Sequence, residues 1–209
     1  MPDAALHSPA AERNKQPILE ALQGLLPAAG LALEIASGTG QHVAHFAAHL
    51  PGWRWLASDP DAAALASIAA LWPAGPAPLR LDVGQSHWPL PDSHQRLDLI
   101  YCANMLHISP WASCAALMAG AARHLAADGR LIVYGPFIEP GRPTAPSNLA
   151  FDADLRARNP AWGLRPLDRV QAEALAQGLI LAERIAMPAN NLLLVLRRRP
   201  PRNPESAAS

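Results

Sequence analysis

Apolar residues recur at Ile18, Leu19, Leu22, Leu25 and Leu26, and this spacing predicts an amphipathic helix over 12–26. A short apolar run follows from Leu31 to Ile35, interrupted only by Glu34, and reads as the first strand. Small residues then lead through Gly38 and Gly40 into a second helical pattern carried by Val43, Phe46, Ala47 and Leu50. Trp53 to Ser58 is the next strand. It runs into Asp59-Pro60-Asp61, where Asp61 is placed to cap an alanine-rich helix ending near Trp72. The proline-rich stretch from Pro73 to Pro78 is a stiff connection to a short strand over Leu79 to Val83. Arg96 to Cys102 is almost continuously apolar, as a strand buried on both faces requires.

Ser109-Pro110 combines an N-cap residue with proline at the first helical position, which predicts a helix from there to about Ala127 with Gly129 ending it. Leu131 to Tyr134 is the following strand, and Asp168 to Ala176 is a short helix with Gly178 behind it. Two apolar segments, Leu179 to Ile185 and Leu192 to Arg197, flank Met187-Pro-Ala-Asn-Asn191 and predict an antiparallel hairpin. Strands alternating with helices specify an α/β, doubly wound, mostly parallel sheet, seven-stranded once the C-terminal antiparallel hairpin is added. The expected organisation is a disordered N-terminus over 1–11, one domain over 12–199 and a disordered tail over 200–209. Residues 137–162 are irregular, with one short helix between Asn148 and Arg158, and read as a lid.

The chain has 209 residues, half of them hydrophobic, which is enough for a sizeable core in one domain. Seventeen basic residues balance seventeen acidic ones. That balance lacks the basic footprint of a nucleic-acid binder. Arg197-Arg198-Arg199 is the one dense cluster and reads as a solvated strand end. Cys102 and Cys114 lie in apolar contexts without metal or redox spacing, and read as reduced buried thiols. Neither a signal peptide nor an apolar run of about 18 residues is present, so the expectation is a cytoplasmic protein with no membrane partner, monomeric by default.

Ligands of doubly wound sheets sit beyond the carboxyl ends of the strands. Here those ends carry Glu34, Asp59, Asp82, Asn104 with His107, and Tyr134. Glycines in the turn over 36–40 let a ligand approach the backbone, whereas Glu34 would repel a bare pyrophosphate. A dinucleotide fingerprint would also place its third glycine at Val43. A nicotinamide-dependent oxidoreductase is therefore a distant reading.

With these residues the chain resembles class I S-adenosylmethionine-dependent methyltransferases. The resemblance implies S-adenosylmethionine as cofactor, bound by Glu34, Ala36, Ser37, Gly38 and Gly40 of the first turn. It places Asp59 on the ribose hydroxyls, Asp82 and Val83 at the adenine, and Asn104 beside the methionyl group. Ala36 replaces a frequent glycine, which is tolerable if the residue keeps a negative φ. A more specific likeness rests on several motifs in order. These are Glu12-Arg-Asn-Lys15, Ala36-Ser-Gly-Thr-Gly-Gln-His42, Asn104-Met-Leu-His-Ile108 with Pro110-Trp111, Tyr134-Gly-Pro-Phe137, Phe151-Asp152 and Met187-Pro-Ala-Asn-Asn191. Together they resemble the family that includes methyltransferase-like protein 26. Asn104-Met-Leu-His107 is not the Asn-Pro-Pro-aromatic motif of enzymes that methylate base amines or glutamine, so a small molecule or a protein side chain is the expected acceptor.

His107 is the candidate general base, on the argument that the helix start at Ser109-Pro110 disfavours an imidazolium there. A histidine that hydrogen-bonds its own loop is an equal alternative. Arg13 and Asn14 are candidates for folding over the site, with Arg13 on the cofactor carboxylate. His42, His45 and His49 share one helical stripe, but no carboxylate or cysteine completes a zinc site and a solvated face is the preferred reading, so no metal is expected. Trp111 and Trp162 are expected at the mouth, and Asn190-Asn191 in the hairpin turn is a further candidate for the pocket. A protein that binds the cofactor without catalysis is the principal alternative to an enzyme.

Overall fold

A computed structural model describes residues 5–200. The strands are β1 (Gly30–Ile35), β2 (Trp53–Asp59), β3 (Leu79–Arg80), β4 (Leu97–Ala103), β5 (Leu125–Gly135), β6 (Phe137–Ile138), β7 (Arg165–Pro166), β8 (Leu179–Met187) and β9 (Asn191–Arg198). The helices are α1 (Pro9–Leu25), α2 (Gln41–His49), α3 (Ala62–Leu71), α4 (Ala112–His124), α5 (Pro146–Arg158) and α6 (Leu167–Ala176). Seven strands form the main sheet in the order β3-β2-β1-β4-β5-β9-β8. The first five are parallel, and β9 lies antiparallel between β5 and β8. β6 and β7 form a separate small parallel pair.

Alternation along the central strands splits the core between the two faces. On β4, Leu99 and Tyr101 join α1 and α2 through Ile18, Leu22, Val43 and Phe46. Ile100 and Cys102 point the other way, to Leu117 and Met118 of α4 and Val170 and Ala174 of α6. Both faces are therefore dry, which accounts for the uninterrupted apolar run of the strand. Strand order reverses between β1 and β4, where the connections diverge to opposite faces and open a crevice at the carboxyl ends.

Several local expectations change. α1 begins at Pro9, not Glu12, because Ser8-Pro9 supplies a cap, with the Ala11 N–H donating to Ser8 Oγ at 3.3 Å. Residues ahead of it are tethered too, since the Leu6 N–H donates to Ser67 Oγ at 2.8 Å and the Ser8 N–H to Gln41 Oε1 at 2.6 Å. The expected disorder of residues 1–4 and of 201–209 lies outside the described residues. Ser109 does not cap α4. Its hydroxyl has no partner, and regular helix begins at Ala112 after a tighter first turn through Pro110 and Trp111. That helix stops at His124, and β5 starts at once. Gly129 is needed for a close approach instead of a helix end, because a Cβ there would lie 2.6 Å from the Leu97 carbonyl oxygen where the β4–β5 register shifts. Asp61 caps α3 as expected, with its carboxylate accepting from the Ala63 and Ala64 N–H groups.

Candidate functional site

The turn after β1 is built from left-handed residues. Ala36, Gly38 and Gly40 have φ of 53°, 56° and 85°. Ala36 thus overturns the expectation of a negative φ. An alanine can occupy this region at a cost of about 1–2 kcal/mol, and the turn holds it there by pinning the next residue. The Ser37 N–H donates to the Ser58 carbonyl at 2.8 Å, and Ser37 Oγ accepts from the Ser58 N–H at 3.2 Å. Ser37 therefore faces inward and clasps the ends of β1 and β2. A Cβ on Gly40 would sit 2.9 Å from the Ile68 backbone, so glycine lets α2 start against α3. A Cβ on Gly38 would meet nothing within 4 Å, and this part of the turn borders open space.

Glu34 ends β1 with 1% of its surface exposed. Its Oε1 lies 3.6 Å from His42 Nδ1, and its Oε2 has no hydrogen-bond partner. His42 Nε2 is 2.6 Å from Asn14 Oδ1, which can only accept, so the ring carries its proton on Nε2. Asn14 also lies against the Tyr134 hydroxyl. The preceding residue, Gln41, donates from Nε2 to Glu12 Oε2 at 2.9 Å. These contacts strap the start of α1 across the carboxyl ends of β1 and β5. His42 is accordingly buried, not part of a solvated face as the stripe with His45 and His49 suggested. Arg13 is exposed on α1 beside Asn14.

The other strand ends are arrayed around this turn. Asp59 accepts from the Gly38 N–H at 2.9 Å and from the Asp61 N–H at 3.0 Å, one bond to each carboxylate oxygen. Each oxygen retains a further lone pair. The Asp59 carbonyl accepts from the Leu81 N–H, which places exposed Asp82 and buried Val83 just beyond β3. Asn104 ends β4 with φ of 59°, its N–H donating to the Tyr134 carbonyl at 2.8 Å.

His107 is as enclosed as Glu34, at 1% exposure, and neither ring nitrogen has a hydrogen-bond partner. A Cβ on Gly135 would lie 2.2 Å from His107 Nε2 and 3.2 Å from Asn104 Oδ1, so the bare glycine at the end of β5 makes room for both side chains. The Phe137 ring packs edge-on against the imidazole at 5.2 Å, and the Gly163 N–H donates to the His107 carbonyl at 2.9 Å. Burial, followed by the nearby Arg165 guanidinium, pushes the His107 pKa down to about 3. The ring is neutral, as the helix-start argument expected, but for a different reason, since regular helix begins only at Ala112.

Arg165 carries no motif that marks it in the sequence. It is 7% exposed, and its guanidinium donates to the carbonyls of Leu106, Ser109 and Ala161. It thereby closes the loop after β4 against the end of the lid. Trp111, expected at the mouth, is half-buried against α6, with Nε1–H donating to Glu173 at 3.0 Å and Arg169 stacked 4.8 Å from the ring centre. Asp152 of α5 accepts from Arg156 at 2.8 Å and from the Leu164 N–H at 2.7 Å, and so joins the lid helix to the same segment. Asn190 and Asn191 line a pocket between the lid and the β8–β9 hairpin, together with Phe137 and Asn148. Among the described residues, no cluster of histidine, cysteine and acidic side chains is arranged to hold a metal, and no helix is long and apolar enough to cross a membrane.

The fold has close counterparts among solved structures. CalO1, a methyltransferase in calicheamicin biosynthesis solved with S-adenosylhomocysteine, superposes with a TM-score of 0.74 at 17% identity, covering 90% of this chain and 54% of that one. The mitomycin 7-O-methyltransferase MmcR gives 0.75 at 19% identity, covering 90% and 54%. Human N-acetylserotonin methyltransferase in complex with S-adenosylmethionine gives 0.72 at 14% identity, covering 91% and 53%. The present chain spans about half the length of these proteins and shares the Rossmann-like methyltransferase fold with them. A family model matches residues 5–198, and the chain belongs to the family described as protein of unknown function DUF938.

Proposed function

We propose that this protein is an S-adenosylmethionine-dependent methyltransferase acting on a small molecule or a protein side chain. The observation that carries the reading is the turn after β1. Three left-handed residues shape it, and at Gly38 it borders open space, beside Glu34, a buried carboxylate with one unpartnered oxygen. Such an oxygen calls for an N–H or O–H donor, and a cationic amino group suits it where a phosphate does not. The finer likeness to methyltransferase-like protein 26 points the same way through the motifs at 12–15, 36–42 and 104–111.

The residues fit the cofactor. Glu34 would take its ammonium group, Ala36, Gly38 and Gly40 would lie along the methionyl part, and Arg13 would reach its carboxylate. Ser37 would hold the turn in shape from behind. Asp59 would use its free lone pairs on the ribose, and Asp82 with Val83 would flank the adenine. When bound, the cofactor supplies an electrophilic methyl group on a sulfonium that departs as a neutral thioether. The protein's part is then to orient the acceptor, exclude water and manage one proton.

His107 and Asn104 are proposed to face the acceptor. A general base tuned for neutral pH titrates near it. A ring held at about 3 does not retain a proton, so His107 accepts a hydrogen bond from the acceptor's N–H or O–H and orients it, and the proton released as the new bond to methyl forms passes to solvent water. The seal around His107 also favours a second reading, in which the protein binds the cofactor and catalyses nothing. Incubation with methyl-labelled cofactor and fractionated metabolites and proteins separates the two. Label transferred to any fraction supports the enzyme, whereas cofactor binding without transfer supports the binding module.

A further inference from the structure

The β8–β9 hairpin and the lid enclose a pocket that the cofactor reading does not use. Its volume is about 210 Å³, and it lies against Phe137, the same ring that packs on His107. Leu192 on its wall pairs with Gly135 across β9 and β5, so the pocket begins one strand away from the Asn104–His107 corner. The rim is built. Asn148, 8% exposed, donates from the lid helix to the Asn190 carbonyl at 3.0 Å. Ala189 and Asn190 hold left-handed φ of 57° and 58° to present that corner of the hairpin.

The charge in this pocket is unbalanced. Glu139 is the one carboxylate in its wall, and Arg184 occupies both of its oxygens, with Nε and Nη2 each at 2.6 Å. That pairing holds the Glu139 carboxyl below its ordinary range. Arg142 is also in the wall, set there by a turn in which its N–H donates to the Glu139 carbonyl at 3.2 Å. The ion pair cancels and Arg142 is left over as a net positive charge beside the apolar surfaces of Phe137, Met187 and Leu192.

We infer that this pocket is the acceptor subsite and that it selects small carboxylic acids, with Arg142 binding the carboxylate and the apolar wall covering the body. The inference rests on the methyltransferase reading. An arginine fork matches a carboxylate in two parallel bonds, which a neutral amide of the same shape cannot reproduce. The volume is below the roughly 300–1,000 Å³ typical of sites for drug-sized ligands, which limits the acceptor to a compact acid.

Ligand-observed NMR tests this with 4-hydroxybenzoate, butyrate and benzoate, each against its own amide, with S-adenosylhomocysteine titrated in the same samples. At least one acid is expected to bind ten-fold or more tighter than its amide, and Arg142→Ala to bring that ratio close to one. Glu139→Gln, which releases Arg184, is expected to strengthen binding of the same acid. An amide that binds as well as its acid, a preference that survives Arg142→Ala, or no binding by any acid overturns the assignment. Acids that fail while S-adenosylhomocysteine binds remove the subsite alone. Acids that bind while S-adenosylhomocysteine fails remove the methyltransferase reading, and with it the role of acceptor subsite.

Discussion

Enclosing His107 as a neutral ring makes the fold acid-sensitive at one identifiable position. In the unfolded chain the ring titrates near 6.5, and in the folded protein burial and Arg165 hold its pKa at about 3. Between those values the unfolded state binds a proton that the folded state refuses, so unfolding becomes easier as pH falls. The contribution is complete above pH 6.5 and is lost at about 1.4 kcal/mol per pH unit below it. At pH 5.0 the loss amounts to about 2 kcal/mol, a large part of the 5–15 kcal/mol that holds a typical domain together. Urea unfolding of wild type and His107→Gln at several pH values from 7.5 to 5.0 isolates this term, because every other titrating group is common to both proteins. The stability difference between them should shift by about 2 kcal/mol in favour of the variant across that range. A difference that stays constant with pH would show that His107 is reachable by water or paired, and would refute the enclosed geometry.

Gly135→Ala drives a methyl group into the space held by His107 Nε2, and should cost about 1–3 kcal/mol by the usual penalty of overpacking, read by urea unfolding. An unchanged midpoint would mean that the ring does not lie against β5. Ala36→Val places a β-branched residue at φ of 53° and should lower stability by about 1–3 kcal/mol, whereas an alanine held at negative φ would accept valine at little cost. Asn148→Ala removes one bond between the lid helix and the hairpin and should cost about 1 kcal/mol while speeding hydrogen exchange in α5. Exchange at the wild-type rate would show that the lid is held elsewhere.

Sheet class, helix positions and the acidic turn were legible in the sequence because each depends on local pattern. The alternation of Leu99 and Tyr101 against Ile100 and Cys102, the Asp61 cap and Gly178 at φ of 75° behind α6 are all short-range features. What was not legible depends on partners far away in the chain. The stripe of histidines on α2 carries no sign that α1 will cover His42, a contact made through Asn14, twenty-eight residues earlier. His107 owes its neutral ring first to burial, against Phe137 and Gly135, and then to Arg165, fifty-eight positions later, so its neutrality was foreseen but not its cause. The Ser-Pro signature starts a helix at Ser8 and only a tight turn at Ser109, whose carbonyl is drawn to Arg165. The sign of φ at Ala36 could not be read either, since a methyl group is small enough for both regions.

The central claim is that the turn after β1 and Glu34 bind the cofactor. Calorimetric titration of S-adenosylhomocysteine into folded wild type and Glu34→Gln tests it most directly. The account predicts saturable one-site binding by wild type, weakened ten-fold or more in the variant. No heat of binding from folded wild-type protein, or equal affinity in the two proteins, would contradict it.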